Sequence, residues 1–293
     1  MLKRINLLEG VPAYGKLFRK GLIICALFGS SHAFSQDNSP YSRFGLGDLV
    51  PNTNINMRGM GGVSAAYVDP YGTSINFTNP ATYGSFWALK SPTSKRIDQG
   101  RAVLDVGINI DNRTLREPNT VSKFKASNAL FSHVQVGVPL RPNWGLSFGL
   151  RPITRISYKQ SRTYRSAIDS SVDLNQGDGG SYLASMGTGA KFKLNSRNSI
   201  SAGINGGYLF GRKENSRRRS IINDSLSYTS GNFETDLSYG GLYFNLGLQY
   251  EMILNPTKQI YLTIGAYGNV KQNIRASTDF ITETYYYERQ NKK

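Results

Sequence analysis

The sequence predicts an all-β protein: a transmembrane antiparallel β-barrel with an N-terminal domain in its lumen. Three observations predict it. Apolar and polar residues alternate with period two over seven segments, several of them longer than the about five to six residues of an ordinary strand. The connections alternate between short and long, as the periplasmic turns and outer loops of a barrel do. The chain opens with an export signal, yet no apolar run is long enough for a membrane helix.

The signal comes first. "GKLFRKGLIICALFGSSHAFSQ" places Lys16, Arg19 and Lys20 before the apolar run Gly21–Gly29, and small and polar residues follow up to Ser35. This order is that of a secretory signal peptide, residues 1–35, cleaved before Gln36. The single cysteine, Cys25, lies inside it, so the mature chain has no disulfide framework. Residues 1–35 carry five basic residues and one acidic one, and their removal lowers the net charge from +16 to +12. No nucleic-acid-binding motif accompanies that charge. Acidic headgroups of outer membrane lipids and glycolipid are its expected neighbours.

Residues 36–95 precede the strands. They hold "NMRGMGGVSAAYVDPYGTS", rich in small residues, followed by "INFTNPATYG", a turn-rich run. We read this segment as a plug, or hatch, folded into the barrel. Gly59, Gly61 and Gly62 are expected to pack closely against the wall. Asn76, Asn79 and Pro80 are expected to form a fixed turn, with the two asparagines satisfying backbone groups that lack a strand partner.

Residues 96–293 carry the strands. In "AVLDVGINID", Leu104, Val106, Ile108 and Ile110 share one parity against Asp105, Gly107 and Asn109. "LFSHVQVGVPL" sets Val134, Val136 and Val138 against His133, Gln135 and Gly137. "NWGLSFGLRPITRISYK" sets Trp144, Leu146, Phe148, Leu150, Ile156 and Tyr158 against Gly145, Ser147, Gly149, Arg151, Arg155 and Lys159. Further strands are expected over 180–194, 199–211, 235–253 and 259–271. Membrane strands need about 9–11 residues. The connections "RPN", "NSRN" and "NPTKQ" are short, whereas 111–122, 160–179 and 212–234 are long and polar. Short connections are assigned to the periplasm and long ones to the outside. Trp144 and Tyr158 are placed in the two aromatic girdles. Seven is an odd count, and "STDFITETYYYERQNKK" reads as the start of another outer loop, so we expect a sequence truncated at its C-terminus, with further strands in the complete protein.

"GMGGVSAAYVDPYGTSINFTNPAT" resembles the N-terminal hatch of the FadL long-chain fatty acid transporter family. "SPYSRFGLGD" at 39–48 resembles the start of such proteins from Bacteroidetes. The resemblance implies a fourteen-stranded outer membrane barrel, of which this chain is about half. It also implies transport of a hydrophobic small-molecule ligand such as a long-chain fatty acid. The alternative is an accessory or scaffold barrel serving an outer membrane secretion or assembly machinery, with other outer membrane proteins as partners. In the resembled family the third strand is kinked and opens the lumen sideways. Pro152 falls in the third strand here and cannot donate a ladder hydrogen bond, so a bulge or lateral opening is expected at residues 149–154, with Gly149 beside it.

No enzyme, metal or cofactor is expected. His133 is the one histidine of the mature chain, and no cysteine accompanies it. Arg151, Arg155 and Lys159 lie on the lumen parity, about 13 Å apart in sequence order. They are candidate ligand-binding residues for a carboxylate; pairing with Asp105 and Asp111, or simple solvation, is the competing reading. The basic run 212–220 is a candidate contact for glycolipid phosphates.

Overall fold

Strands β4 (Val103–Arg116), β5 (Lys123–Arg141), β6 (Trp144–Arg165), β7 (Ser170–Lys193), β8 (Asn198–Ile222), β9 (Ser230–Asn255) and β10 (Ile260–Asn269) lie side by side in chain order, each antiparallel to the next. They follow the seven expected strands. β1 (Asp48–Leu49) and β11 (Arg275–Tyr285) complete a nine-stranded sheet, and β2 (Ala88–Lys90) pairs with β3 (Ile97–Gly100) separately. The coordinates are a computed structural model. It describes residues 39–94, 96–116, 121, 123–165, 170–222 and 230–285, all within one unit spanning 37–293. The expected signal peptide lies outside the described residues.

The expectation of a closed barrel is not met among these residues. They form an open all-β antiparallel sheet whose long edges are β4 on one side and β10 with β11 on the other.

The two faces follow the alternation in an inverted sense. Leu104, Val106, Ile108 and Ile110 are exposed, Ile110 at 74%, while His133, Gln135, Ser147 and Asn245 on the opposite face are nearly inaccessible. On β8 the apolar face runs from Ile200 to Phe210. That stretch is about 34 Å along the strand, or roughly 25 Å once tilted as membrane strands are.

The strands outrun that band. β6 to β9 have 22 to 26 residues, against about 9–11 for a membrane crossing. Much of 160–179 and 212–234, expected as loops, is paired ribbon: Arg165 opposes Ser170, and Arg219 opposes both Asp173 and Gly231. Charged cross-strand contacts replace apolar alternation there. Asp173 accepts from Arg217 and Arg219, and both carboxylate oxygens of Asp236 accept from Arg212. Residues 277–285, expected as the start of a loop, belong to β11 and pair with Ser230–Ser238.

The short connections are tight for stated reasons. Asn143 adopts φ 67° in the turn between β5 and β6. Asn195 and Asn255 each accept two backbone N–H groups with their side-chain oxygens, closing the turns after β7 and β9.

Candidate functional site

The polar face of the sheet is filled by the N-terminal segment. All ten residues of "INFTNPATYG" (75–84) are buried. Asn79 caps the 3-10 turn Pro80–Ser85 by accepting from the Ala81 amide, and its Nδ2 donates to the carbonyl of Ala65 at 2.6 Å and that of Leu248 at 3.3 Å. Asn76 donates to the carbonyls of Ser64 and Tyr67 and accepts from the amides of Thr78 and Asn79. These groups have no ladder partners, so side-chain amides supply what secondary structure does not.

The strands make room for this turn with glycine. Gly145, Gly189, Gly203 and Gly247 stand in register on β6, β7, β8 and β9. A Cβ at any of them would overlap Tyr83, Pro80 or Asn79. Sequence reasoning missed this row, although its members share the polar parity of four strands. Gly59, Gly61 and Gly62, by contrast, are exposed, with open space where a Cβ would stand. Their expected close packing is not seen. Gly61 and Gly62 have φ of 76° and 86° and close the short helix α1 (Ile55–Gly59), whose Met57 carbonyl accepts from the Gly62 amide.

A second clamp lies on β4 and β5. His133 is fully buried, and its Nε2 is 3.1 Å from Asp105 Oδ1, while Asp105 Oδ2 accepts from the Ile75 amide at 2.9 Å. Phe77 packs on the His133 ring, with centroids 5.0 Å apart. Gly107 leaves the space that the imidazole occupies.

Arg151, Arg155 and Lys159 do not form one row. Register shifts between Pro152 and Thr154, so the buried parity passes from Arg151 to Thr154, Ile156 and Tyr158. Arg151 is 4% exposed, stacks 5.0 Å over Phe77 and lies near Tyr243 of β9. Arg155 is half-buried and Lys159 exposed. Asp105 serves His133, and Asp111 pairs with Arg113. Tyr158, expected in an aromatic girdle, is buried and donates to Asn215. Ile156 likewise leaves the apolar face.

The β5–β6 ladder runs only between Arg141↔Trp144 and Val134↔Leu150. Beyond Gly149 and Leu150 the neighbour of β6 is the N-terminal segment. Asp48 and Leu49 pair with Arg155 and Thr154, the Val50 amide donates to Ile153, and the Ser39 amide donates to Ser157. Lys213 of β8 ties the same segment down by donating to the carbonyls of Arg43 (2.9 Å) and Gly45 (2.7 Å). Tyr41, Phe44 and Leu49 remain exposed on it.

No curated protein and no solved structure matches the chain significantly. The family model described as BamG matches residues 17–293. That match overturns the expected membership of the FadL transporter family, and with it the lipid-transport reading. The physical reason for the misreading is local: the resemblance rested on a glycine-rich stretch and an Asn-Pro-Ala turn, which serve any chain that must fold without ladder partners against a sheet. The chain belongs to the BamG family rather than to the FadL transporters.

Proposed function

We propose that the protein is a non-catalytic scaffold subunit of the outer membrane assembly machinery, embedded in the membrane through the apolar face of its sheet. One observation carries this reading: the sheet is inverted, with apolar side chains exposed and polar ones buried. In water such a face would be a severe liability; against lipid it is the expected arrangement. Short turns at one end and long charged ribbons at the other fit an orientation with the turns in the periplasm and the ribbons outside.

The filled polar face favours a scaffold over a channel. Arg151, the one deeply buried cation among the three candidates, is stacked on Phe77 beside Tyr243. Residues 75–84 take up the space that a passing solute would need. Other outer membrane proteins are the partners this reading requires, and the exposed Tyr41, Phe44 and Leu49 offer them apolar contact.

Affinity capture of the tagged full-length protein from detergent-solubilised outer membranes tests the proposal. The expected result is co-purification of the other assembly subunits in fixed ratio. Depletion of the protein should lower the amounts of many outer membrane barrels together. Capture of the protein alone, with barrel levels unchanged on depletion, would overturn it.

A further inference from the structure

We propose that the polar face of the sheet encloses a binding site for one small monovalent anion of the chloride class, held against the guanidinium of Arg151 beneath residues 75–84; the inference does not depend on the scaffold reading. Arg151 is almost fully buried, yet no carboxylate pairs with it among the described residues. The groups that act on its charge are the hydroxyls of Tyr243 and Tyr83. Phe77 lies against the guanidinium, an aromatic contact that brings no counter-charge. The other buried ionic side chains, Asp173 and Lys213, are provided for: two arginines donate to Asp173, and Lys213 donates to two backbone carbonyls. An arginine cannot discharge by losing its proton. A buried charge without a counter-charge is costly, and a negative occupant removes that cost.

The neighbours of Arg151 on the same face are short of acceptors as well. Ser147, Gly149 and Arg151 follow one another on the buried parity of β6, about 7 Å apart. Gln135 of β5 opposes Gly149, and its side chain lies where a Cβ of Gly149 would stand. Its amide group therefore sits over Gly149, between Ser147 and Arg151. The Gln135 side-chain nitrogen is buried without a hydrogen bond, and the Ser147 hydroxyl, beside that of Tyr83, makes none of ordinary geometry. Gln135, Ser147, Phe77 and Tyr83 are each at most 3% exposed, so the described residues themselves shut the patch off. Buried polar groups without partners are uncommon and call for an explanation. Here the free groups are guanidinium and amide N–H and a hydroxyl, all able to donate. Water would answer them but carries no charge and brings two hydrogens that need acceptors of their own. A chloride-class anion only accepts. One guanidinium balances one negative charge, and the enclosure favours a small ion over a larger carboxylate ligand. Phe77 and Tyr83 belong to the turn 75–84, whereas Gln135, Ser147 and Arg151 belong to β5 and β6, so the anion fastens the turn to the sheet.

Crystals of the full-length protein in detergent, soaked in sodium bromide, test the site directly. An anomalous peak is expected within hydrogen-bond reach of the Arg151 guanidinium. Thermal unfolding in solution gives a second reading. At constant ionic strength the melting temperature of the wild type should rise, and then saturate, as sodium chloride replaces sodium gluconate, whose anion is too large to enter. Arg151→Gln should abolish this dependence. Gln135→Met, which removes one donor at little change in volume, should raise the half-saturating chloride concentration about tenfold. Lys258→Gln, which removes a charge from the exposed turn after β9, should leave it unchanged. Absence of a bromide peak at Arg151 overturns the site and leaves water as the occupant, whether or not Arg151→Gln folds. A peak without any chloride dependence of stability is an adventitious ion only and overturns it too. A dependence that is unchanged in Gln135→Met, or lost in Lys258→Gln, reduces the effect to general salt stabilisation and overturns the site as well.

Discussion

Asp105 is the residue on which the N-terminal segment and the strands depend together. One oxygen accepts from a buried backbone amide, Ile75, and the other meets His133. Removing the carboxylate leaves two buried polar groups without partners, each at about 1–3 kcal/mol. Asp105→Ala should therefore lower the unfolding free energy by ~2–5 kcal/mol, and Asp105→Asn, which keeps an acceptor for Ile75, by less. Denaturant titration of the detergent-solubilised protein reads both. A second carboxylate acts outside the apolar band. The hydrogen bond from Arg219, then that from Arg217 and both charges, hold Asp173 well below the usual carboxylate range against the opposing effect of burial. Its folded value lies below its unfolded value of about 3.9, so its contribution is fully present above that value and declines as pH falls toward the folded one. Limited proteolysis of the β7–β8 ribbon should show protection at neutral pH that weakens below about pH 3.9. Asp173→Asn should be cleaved readily at neutral pH and show little further change with acid.

At the scale of elements, the seven central strands were legible because a half-apolar strand writes its period into the chain. The ribbons above them were not. Asp173, Arg217 and Arg219 stabilise one another across strands, and such pairs leave no periodic apolar signal. Pro152 marked a real irregularity, but its effect on parity, moving Ile156 and Tyr158 to the buried face, depends on where the extra residue is taken up. The turn 75–84 could be read as fixed from its asparagines. Its seat could not, because the glycine row becomes a row only once four strands are in register. That row makes an element-scale prediction. Gly203→Val puts a branched side chain where Pro80 and Ala81 now lie. The strands should still form, since Val suits them, while residues 75–84 are expelled from their seat. Cysteine labelling at Thr78, buried in the parent, should become fast in Gly203→Val and stay slow in a control Gly268→Val, where nothing stands within 4 Å of a new Cβ.

For the whole molecule the question is what covers the apolar face. Ile204 on β8 opposes Leu246 on β9 in the middle of the band, and Ile200 opposes Tyr250 near its end. All four are at least partly exposed. If lipid covers them, the cost of a charge depends on depth: about 2–4 kcal/mol for Lys at the midplane and about 0–1 near the interface. Water as the solvent would make both substitutions harmless or favourable, since each removes exposed apolar surface. A protein partner covering the whole face would penalise both to a similar degree, with no gradient toward the turns. Ile204→Lys should therefore destabilise the protein folded into phospholipid vesicles by ~2–4 kcal/mol, and Ile200→Lys by much less. Unfolding titrations of the two variants measure the difference directly, and equal values for both would remove the membrane placement on which the scaffold reading depends.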